Sequence, residues 1–188
     1  MGPRPIGWIS TVDREGRRNL APYSFFNAFA YRPPIIGFSS TAKKDTLTNA
    51  AATGEFVWNL ATKVQAAAMN VTSTAAPPGM DEFVLAGLSA VASRLVKPPR
   101  VAGSPVSFEC RTTQQVQLVG IDGVPADAWV TFGQVVAVHI HRSLLVDGVY
   151  QTAAARPILR TGGPGGYVEI TPEAAFDMPR PATAHRAE

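Results

Sequence analysis

Residues 35–54 read Ile35-Ile36-Gly37-Phe38-Ser39-Ser40-Thr41-Ala42-Lys43-Lys44-Asp45-Thr46-Leu47-Thr48-Asn49-Ala50-Ala51-Ala52-Thr53-Gly54. The apolar run Ile35 to Phe38 follows Pro33-Pro34 and is too short for a helix, so it reads as a buried strand that ends in three hydroxyl residues. The chain then turns to helix formers. Leu47 to Ala52 should be a short helix, with Asp45 or Thr46 as its N-cap and Gly54 as its C-terminal stop. Such a junction can hold an anion: free backbone N–H groups, the positive end of the helix dipole, hydroxyl donors and a lysine ammonium converge on it. An ordinary capped helix after a polar turn is the plainer reading of the same residues, and spacing alone leaves both open.

Upstream, Ile6 to Val12 is rich in β-formers and runs into Asp13-Arg14-Glu15-Gly16-Arg17, so residues 6–22 read as a hairpin closed at Gly16. The next stretch, Asn19 to Asn27, mixes small polar side chains with Tyr23, Phe25 and Phe26 and should leave the sheet edge. It can border a planar heterocycle, with Asn27 and backbone amides on the polar rim and aromatics on the faces; a turn with aromatics packed into the core accounts for it equally well.

Downstream, Glu55 to Leu60 reads as a strand and Val64 to Met69 as a helix. Pro, Gly and Ser then dominate residues 73–105, a surface excursion with a short helix around Asp81 to Leu85. Val106, Phe108 and Cys110 alternate with Ser107, Glu109 and Arg111, as in a strand with one covered face. Trp129 to Ile140 is its expected antiparallel partner, joined through a loop at Gly120 to Asp127. From Pro172 the chain is polar and its last residues are expected to fray.

Composition narrows the function. The 188 residues fit one domain over 1–188, and 46% apolar against 16% charged residues argues against intrinsic disorder. Sixteen Gly and sixteen Pro between short apolar runs favour many turns and a largely β architecture. No apolar run is long enough for a spanning helix, so no membrane partner is expected. The net charge of +3 is scattered, which gives nucleic-acid binding no support. A single Cys110 excludes an internal disulfide and cysteine-rich metal sites, and without a signal-like apolar segment at the start the cytoplasm is the default compartment. His139 and His141 share one strand face but lack further ligands, so exposed strand histidines are expected and no metal site is assigned. Gly162-Gly163-Pro164-Gly165-Gly166 reads as a flexible turn, not a dinucleotide fingerprint, and Cys110 as a buried inert thiol. No Gly-x-Ser-x-Gly elbow supports a hydrolase.

Taken together, Arg4-Pro5-Ile6-Gly7-Trp8-Ile9-Ser10-Thr11, Asn19-Leu20-Ala21-Pro22-Tyr23-Ser24-Phe25-Phe26-Asn27 and Lys44-Asp45-Thr46 resemble the flavin reductase-like family of FMN-binding split barrels, in its flavoredoxin branch. Further matches at residues 54–61, 68–70, 95–101 and 156–163 extend the resemblance over nearly the whole chain. It implies a mainly β fold with flanking helices, a six-stranded antiparallel Greek-key split barrel, and a homodimer with one FMN per subunit near the interface. It implies the phosphate on Ser39, Ser40, Lys44 and Thr46, with Thr41 and Asp45 in the same junction. The ring would lie against Trp8, Ile9, Ser10 and Thr11 and against Ala21, Pro22, Tyr23, Ser24, Phe26 and Asn27, with Asn70 a further contact.

The activity so implied is hydride transfer from NAD(P)H to the flavin and electron delivery to an acceptor. The cofactor would do the chemistry, so no catalytic side chain is assigned. The alternatives are a flavin-binding electron carrier without its own NAD(P)H activity and, less favoured, a barrel that has lost its flavin. Family members commonly carry a further segment ahead of the Arg-Pro-Ile-Gly-Trp stretch. The resemblance therefore implies either a start further upstream or a member without that strand-and-loop cover.

Overall fold

The computed structural model describes residues 1–181. In chain order its first half holds β1 (Arg4–Pro5), β2 (Gly7–Val12), β3 (Arg18–Tyr23), β4 (Phe26–Tyr31), β5 (Pro34–Thr41), α1 (Asp45–Thr53) and β6 (Glu55–Asn59), then α2 (Ala66–Val71) and α3 (Glu82–Leu85). The second half holds β7 (Ala90–Val91), β8 (Arg100–Val101), β9 (Val106–Val119), β10 (Pro125–Ile140), β11 (Leu145–Val146), β12 (Val149–Tyr150), β13 (Ile158–Gly162) and β14 (Gly166–Glu169). Among the described residues, seven strands form one antiparallel sheet in the order β3-β2-β6-β9-β10-β5-β4.

Around β2 the sheet is covered on both faces. Along β2 the side chains alternate, so Ile9 joins Tyr23, Ile36, Phe38, Phe56 and Cys110 in the barrel interior. Trp8, on the opposite face, packs with Leu20, Ala61, Met69, Phe83, Val101 and Ile158 under the helices and the C-terminal hairpin. All six residues of β2 are therefore buried. The barrel closes without a continuous ladder. Its two edge strands, β3 and β4, are separated in sequence only by Ser24 and Phe25. There the Ser39 N–H donates to the Phe25 carbonyl at 2.8 Å and the Tyr23 ring meets Phe38 at 4.8 Å. Gly133 in β10 is required for this packing, because a Cβ there would stand 2.3 Å from the Phe56 ring.

The hairpin closes as expected, with Val12 opposite Arg18 and Gly16 at φ 83°, a left-handed conformation that glycine adopts without strain. Elsewhere the structure corrects the sequence reading. The main sheet has seven strands where six were expected, and the stretch Asn19 to Asn27, read as leaving the edge, stays in it: its first residues belong to β3, and Phe26 and Asn27 open β4, which pairs along β5. Small residues and the following prolines mute its strand signal, and the ladder with β5 supplies the backbone partners.

The helix expected over 64–69 is a 3₁₀ turn at Lys63–Gln65 followed by α2, two residues further on. β9 has two covered faces rather than one: Ser107 and Glu109 are as buried as Val106 and Cys110, because residues 92–99 lie over them. His139 is not an exposed strand histidine, since its Nε2 lies 2.6 Å from the Glu109 carboxylate, and His141 follows the strand and leads a 3₁₀ turn. Pro172–Ala174 forms a 3₁₀ turn, while the expected fraying of residues 182–188 falls outside the described residues. Cys110 is buried, and burial pushes its thiol pKa up, away from thiolate chemistry.

Candidate functional site

A cleft of about 370 Å³ opens where β3, the start of α1 and the segment after α2 meet. The N-terminus of α1 forms its floor. Lys44 is the N-cap residue, and neither it nor Asp45 or Thr46 caps the helix through a side chain as the sequence had suggested. The first-turn N–H groups thus have no intrahelical or side-chain partner, the state in which a helix end attracts an anion.

A buried polar network positions that helix end. Asn19 Nδ2 donates to Thr46 Oγ1 at 2.8 Å and to Thr11 Oγ1 at 3.1 Å, and Asn49 Nδ2 donates to Thr11 Oγ1 at 3.2 Å. Thr11 and Asn19 are cross-strand partners in the hairpin, so the start of α1 is fixed to the β2–β3 register. Beside this network the Tyr23 hydroxyl is buried without a hydrogen-bond partner, on a residue only 8% exposed. An unpaired buried hydroxyl costs about 1–3 kcal/mol, and native folds tolerate few of them. Burial raises the Tyr23 pKa; the Thr46 and Ser40 hydroxyls nearby pull it the other way without reaching hydrogen-bond geometry. Tyr23 is therefore a protonated donor beside the cleft.

The third wall comes from far along the chain. Trp8 Nε1 donates to Thr72 Oγ1 at 3.0 Å, and Thr72 Oγ1 in turn donates to the Met69 carbonyl. The Gly79 N–H donates to Asp45 Oδ2 at 2.8 Å, Arg18 pairs with Asp81, and Asp81 caps α3. Glu82 accepts the Leu20 N–H at 2.9 Å. Burial dominates this carboxyl and raises its pKa despite that one donor. Lys43 and Lys44 line the cleft, the Lys43 ammonium lying 5.5 Å from the Trp129 ring centroid.

Of the residues singled out in the sequence, Ala21, Pro22, Tyr23, Lys44, Asp45 and Thr46 line this cleft together. Trp8 is wholly buried behind the wall that it braces, Ile9 packs inside the barrel, and Ser10, on the same face as Trp8, donates to the Pro99 carbonyl. Thr11 belongs to the network under α1. Ser24 receives Arg4 through both its carbonyl and its hydroxyl, and Phe26 stacks on Trp58 at 5.7 Å. Asn27 is exposed, its side chain accepting from the Ala28 N–H. Ser39 holds Phe25, Ser40 is buried and donates to the Ala42 carbonyl, and Thr41 is exposed. Asn70 lines a second cleft beyond α2.

Asn19, Thr72 and Glu82 line the cleft and were not singled out. Asn19 stood in the quoted Asn-Leu-Ala-Pro stretch, where its cross-strand position opposite Thr11 is a usable signal. Thr72 and Glu82 sit in irregular sequence with no periodicity to read.

A family model described as a flavin reductase like domain matches residues 2–158. A protein of Halalkalibacterium halodurans described only as uncharacterised is 35% identical, the match covering 99% of this chain and 90% of that one. Among solved structures, nitrilotriacetate monooxygenase component B from Bacillus cereus superposes with a TM-score of 0.87 at 32% identity, over 95% of this chain and 88% of that one. The 2-nitrobenzoate 2-nitroreductase of Pseudomonas fluorescens superposes with a TM-score of 0.83 at 26% identity, over 98% and 90%. Among the described residues no helix is long and apolar enough to cross a membrane.

Proposed function

The chain belongs to the flavin reductase-like family, and from that premise we propose that it binds FMN at the cleft under α1 and acts as an NAD(P)H-dependent flavin oxidoreductase. The observation that carries this reading is the convergence of the side-chain-uncapped start of α1, Lys44, Thr46 and the orphaned Tyr23 hydroxyl on one cleft. That donor set fits a phosphate monoester: a charge, hydroxyls and backbone N–H groups, with no metal required. Asp45 is turned to the Gly79 N–H, and Lys43 and Lys44 together outnumber its charge in the cleft.

When bound, the flavin would accept a hydride from NAD(P)H and return two electrons to an acceptor. The chain's own part is to hold, orient and shield. Lys44, Thr46 and Tyr23 anchor the anionic end. Ala21 and Pro22 offer an apolar surface on the β3 side, and the Thr72 wall, braced by Trp8, limits water. Two similar proteins of known structure are named as a monooxygenase component and a nitroreductase, which supports an acceptor beyond the flavin itself.

The test is a spectrum of the purified protein followed by titration. Yellow protein bleached by NADH or NADPH is expected, with Lys44→Ala weakening FMN binding by about 1–3 kcal/mol, the range for a charge-assisted hydrogen bond. Protein that is colourless and fails to take up FMN refutes the assignment. Bleaching by dithionite but by neither nicotinamide identifies a carrier instead.

The same reading places a second copy against the exposed apolar side chains of β4 and of the β9–β10 arm, among them Phe29, Tyr31, Val119 and Val124. Sedimentation at twice the mass of one chain is expected, and a monomer at micromolar concentration would refute it.

A further inference from the structure

On the other side of α2 lies a larger cleft, of about 820 Å³, between that helix and the β13–β14 hairpin. Its size suits a nucleotide-sized ligand. Three features give it chemistry. Lys63 stands at its rim, exposed, and among the described residues its ammonium has no hydrogen-bond or ion-pair partner. Glu169, the carboxylate of the cleft, pairs with Arg156 Nε at 2.8 Å and also feels the Lys63 charge, both cations lowering its pKa, so two positive charges stand against its one.

The wall itself is built, not loose. The Arg160 guanidinium donates to the carbonyls of Gly166 at 2.9 Å and Gly163 at 2.8 Å, closing the glycine-rich turn, and lies 5.0 Å from the Tyr167 ring centroid. That fixes a tyrosine, 43% exposed, as a rigid aromatic surface along the cleft. The glycine stretch is thus a hairpin turn clamped by an arginine. Ser73 lines this cleft and the one under α1 alike, so the two share a wall and a ligand longer than either can pass from one to the other.

We propose that this second cleft docks the adenosine diphosphate half of the nicotinamide donor, Lys63 supplying charge for the diphosphate and Tyr167 a flat surface for the adenine. The inference rests on the nicotinamide reading above and adds where the donor binds. Arg160 is a positioning residue, since its donors are spent on the turn that presents Tyr167.

The experiment titrates ADP into the FMN-loaded full-length protein by calorimetry, for the wild type, Lys63→Ala and Tyr167→Phe, with Tyr167→Ala as the stronger aromatic deletion. ADP should bind the wild type and weaken about tenfold in Lys63→Ala and Tyr167→Ala, the size of one lost charge-assisted or stacking contact. Tyr167→Phe, which keeps the ring, should bind as wild type. FMN affinity should be unchanged throughout, which separates a docking role from a folding defect. No ADP binding to the wild type, or equal binding to all variants, overturns the proposal. In steady state, KM for NADH or NADPH should rise in Lys63→Ala with kcat retained; an unchanged KM in an active enzyme also overturns it. If neither nicotinamide reduces the flavin, the oxidoreductase reading falls, and the ADP titration still decides what the cleft binds.

Discussion

Two glutamates of this fold are both buried, and their carboxyls are shifted in opposite directions. Glu109, in the outer face of β9, is wholly inaccessible and accepts the N–H groups of Arg94 and Leu95 at 2.8 and 2.6 Å, with His139 Nε2 at 2.6 Å. Burial is the largest single influence and would raise its pKa, but the three donors together outweigh it and the pKa is lowered. Glu82, in the wall of the candidate site, is slightly more accessible, meets the Leu20 N–H, and has its pKa raised by burial. At Glu109 the donors and the neighbouring His139 outweigh burial, whereas at Glu82 burial, with the Asp45 and Asp81 carboxylates nearby, prevails. The Glu109 carboxylate is well supplied with donors, whereas among the described residues the cleft wall holds Glu82 with the Leu20 N–H as its donor and the Tyr23 hydroxyl with no partner in hydrogen-bond geometry.

The contrast can be broken most severely at Glu109. Glu109→Ala takes the acceptor from the Arg94 and Leu95 N–H groups and from His139 and should cost about 3 kcal/mol of stability, read from the urea midpoint, with FMN affinity preserved in the folded fraction. A loss below the error of the measurement would show that residues 92–99 do not depend on this carboxylate.

Tyr23→Phe should behave in the opposite sense. It removes a hydroxyl that has no partner in the fold, so thermal stability should hold or rise slightly, while FMN binding weakens by about 1 kcal/mol. Unchanged FMN affinity would mean that the hydroxyl does not meet the ligand.

The smallest effect is a slope. Glu82 has a folded pKa above its unfolded one, so its contribution to stability is greatest below the unfolded carboxylate range, about 4.3, and declines as pH rises through the folded value. Glu109 runs the other way: its contribution is present above the unfolded range and is lost as pH falls through its lowered folded value. Glu82→Gln should remove the first slope and leave the second, with stability at neutral pH equal to or less than about 1 kcal/mol above the wild type. A variant that keeps the decline above the carboxylate range would assign it to another group.

Much of the frame was legible in local sequence. The 6–22 hairpin, the Ile35 to Thr41 strand, the α1 helix with Gly54 closing it, and the placing of Lys44 and Thr46 at a strand-to-helix junction all follow from short-range rules, and each appears where those rules put it. The edge strand β4 and the second covered face of β9 were not legible. Whether Phe26 to Tyr31 is a strand depends on β5 offering its ladder, and whether Glu109 is buried depends on a loop that packs over it from some fifteen residues upstream. Within the site, Trp8 was legible as important but not as a brace: its partner Thr72 lies 64 residues away in irregular chain.

The order of residues in this chain determined by itself a mainly β architecture with a strand-to-helix junction at 39–46, because strand length, helix capping and glycine stops act over a few residues and leave a local mark. Tertiary structure alone decided which polar groups end up satisfied. Asn19 found Thr46, Glu109 found Arg94 and His139, and the Tyr23 hydroxyl came close to Thr46 and Ser40 without reaching hydrogen-bond geometry with either. The reason is that satisfaction is a property of contacts between segments distant in sequence, and no periodicity along the chain encodes which distant donor arrives.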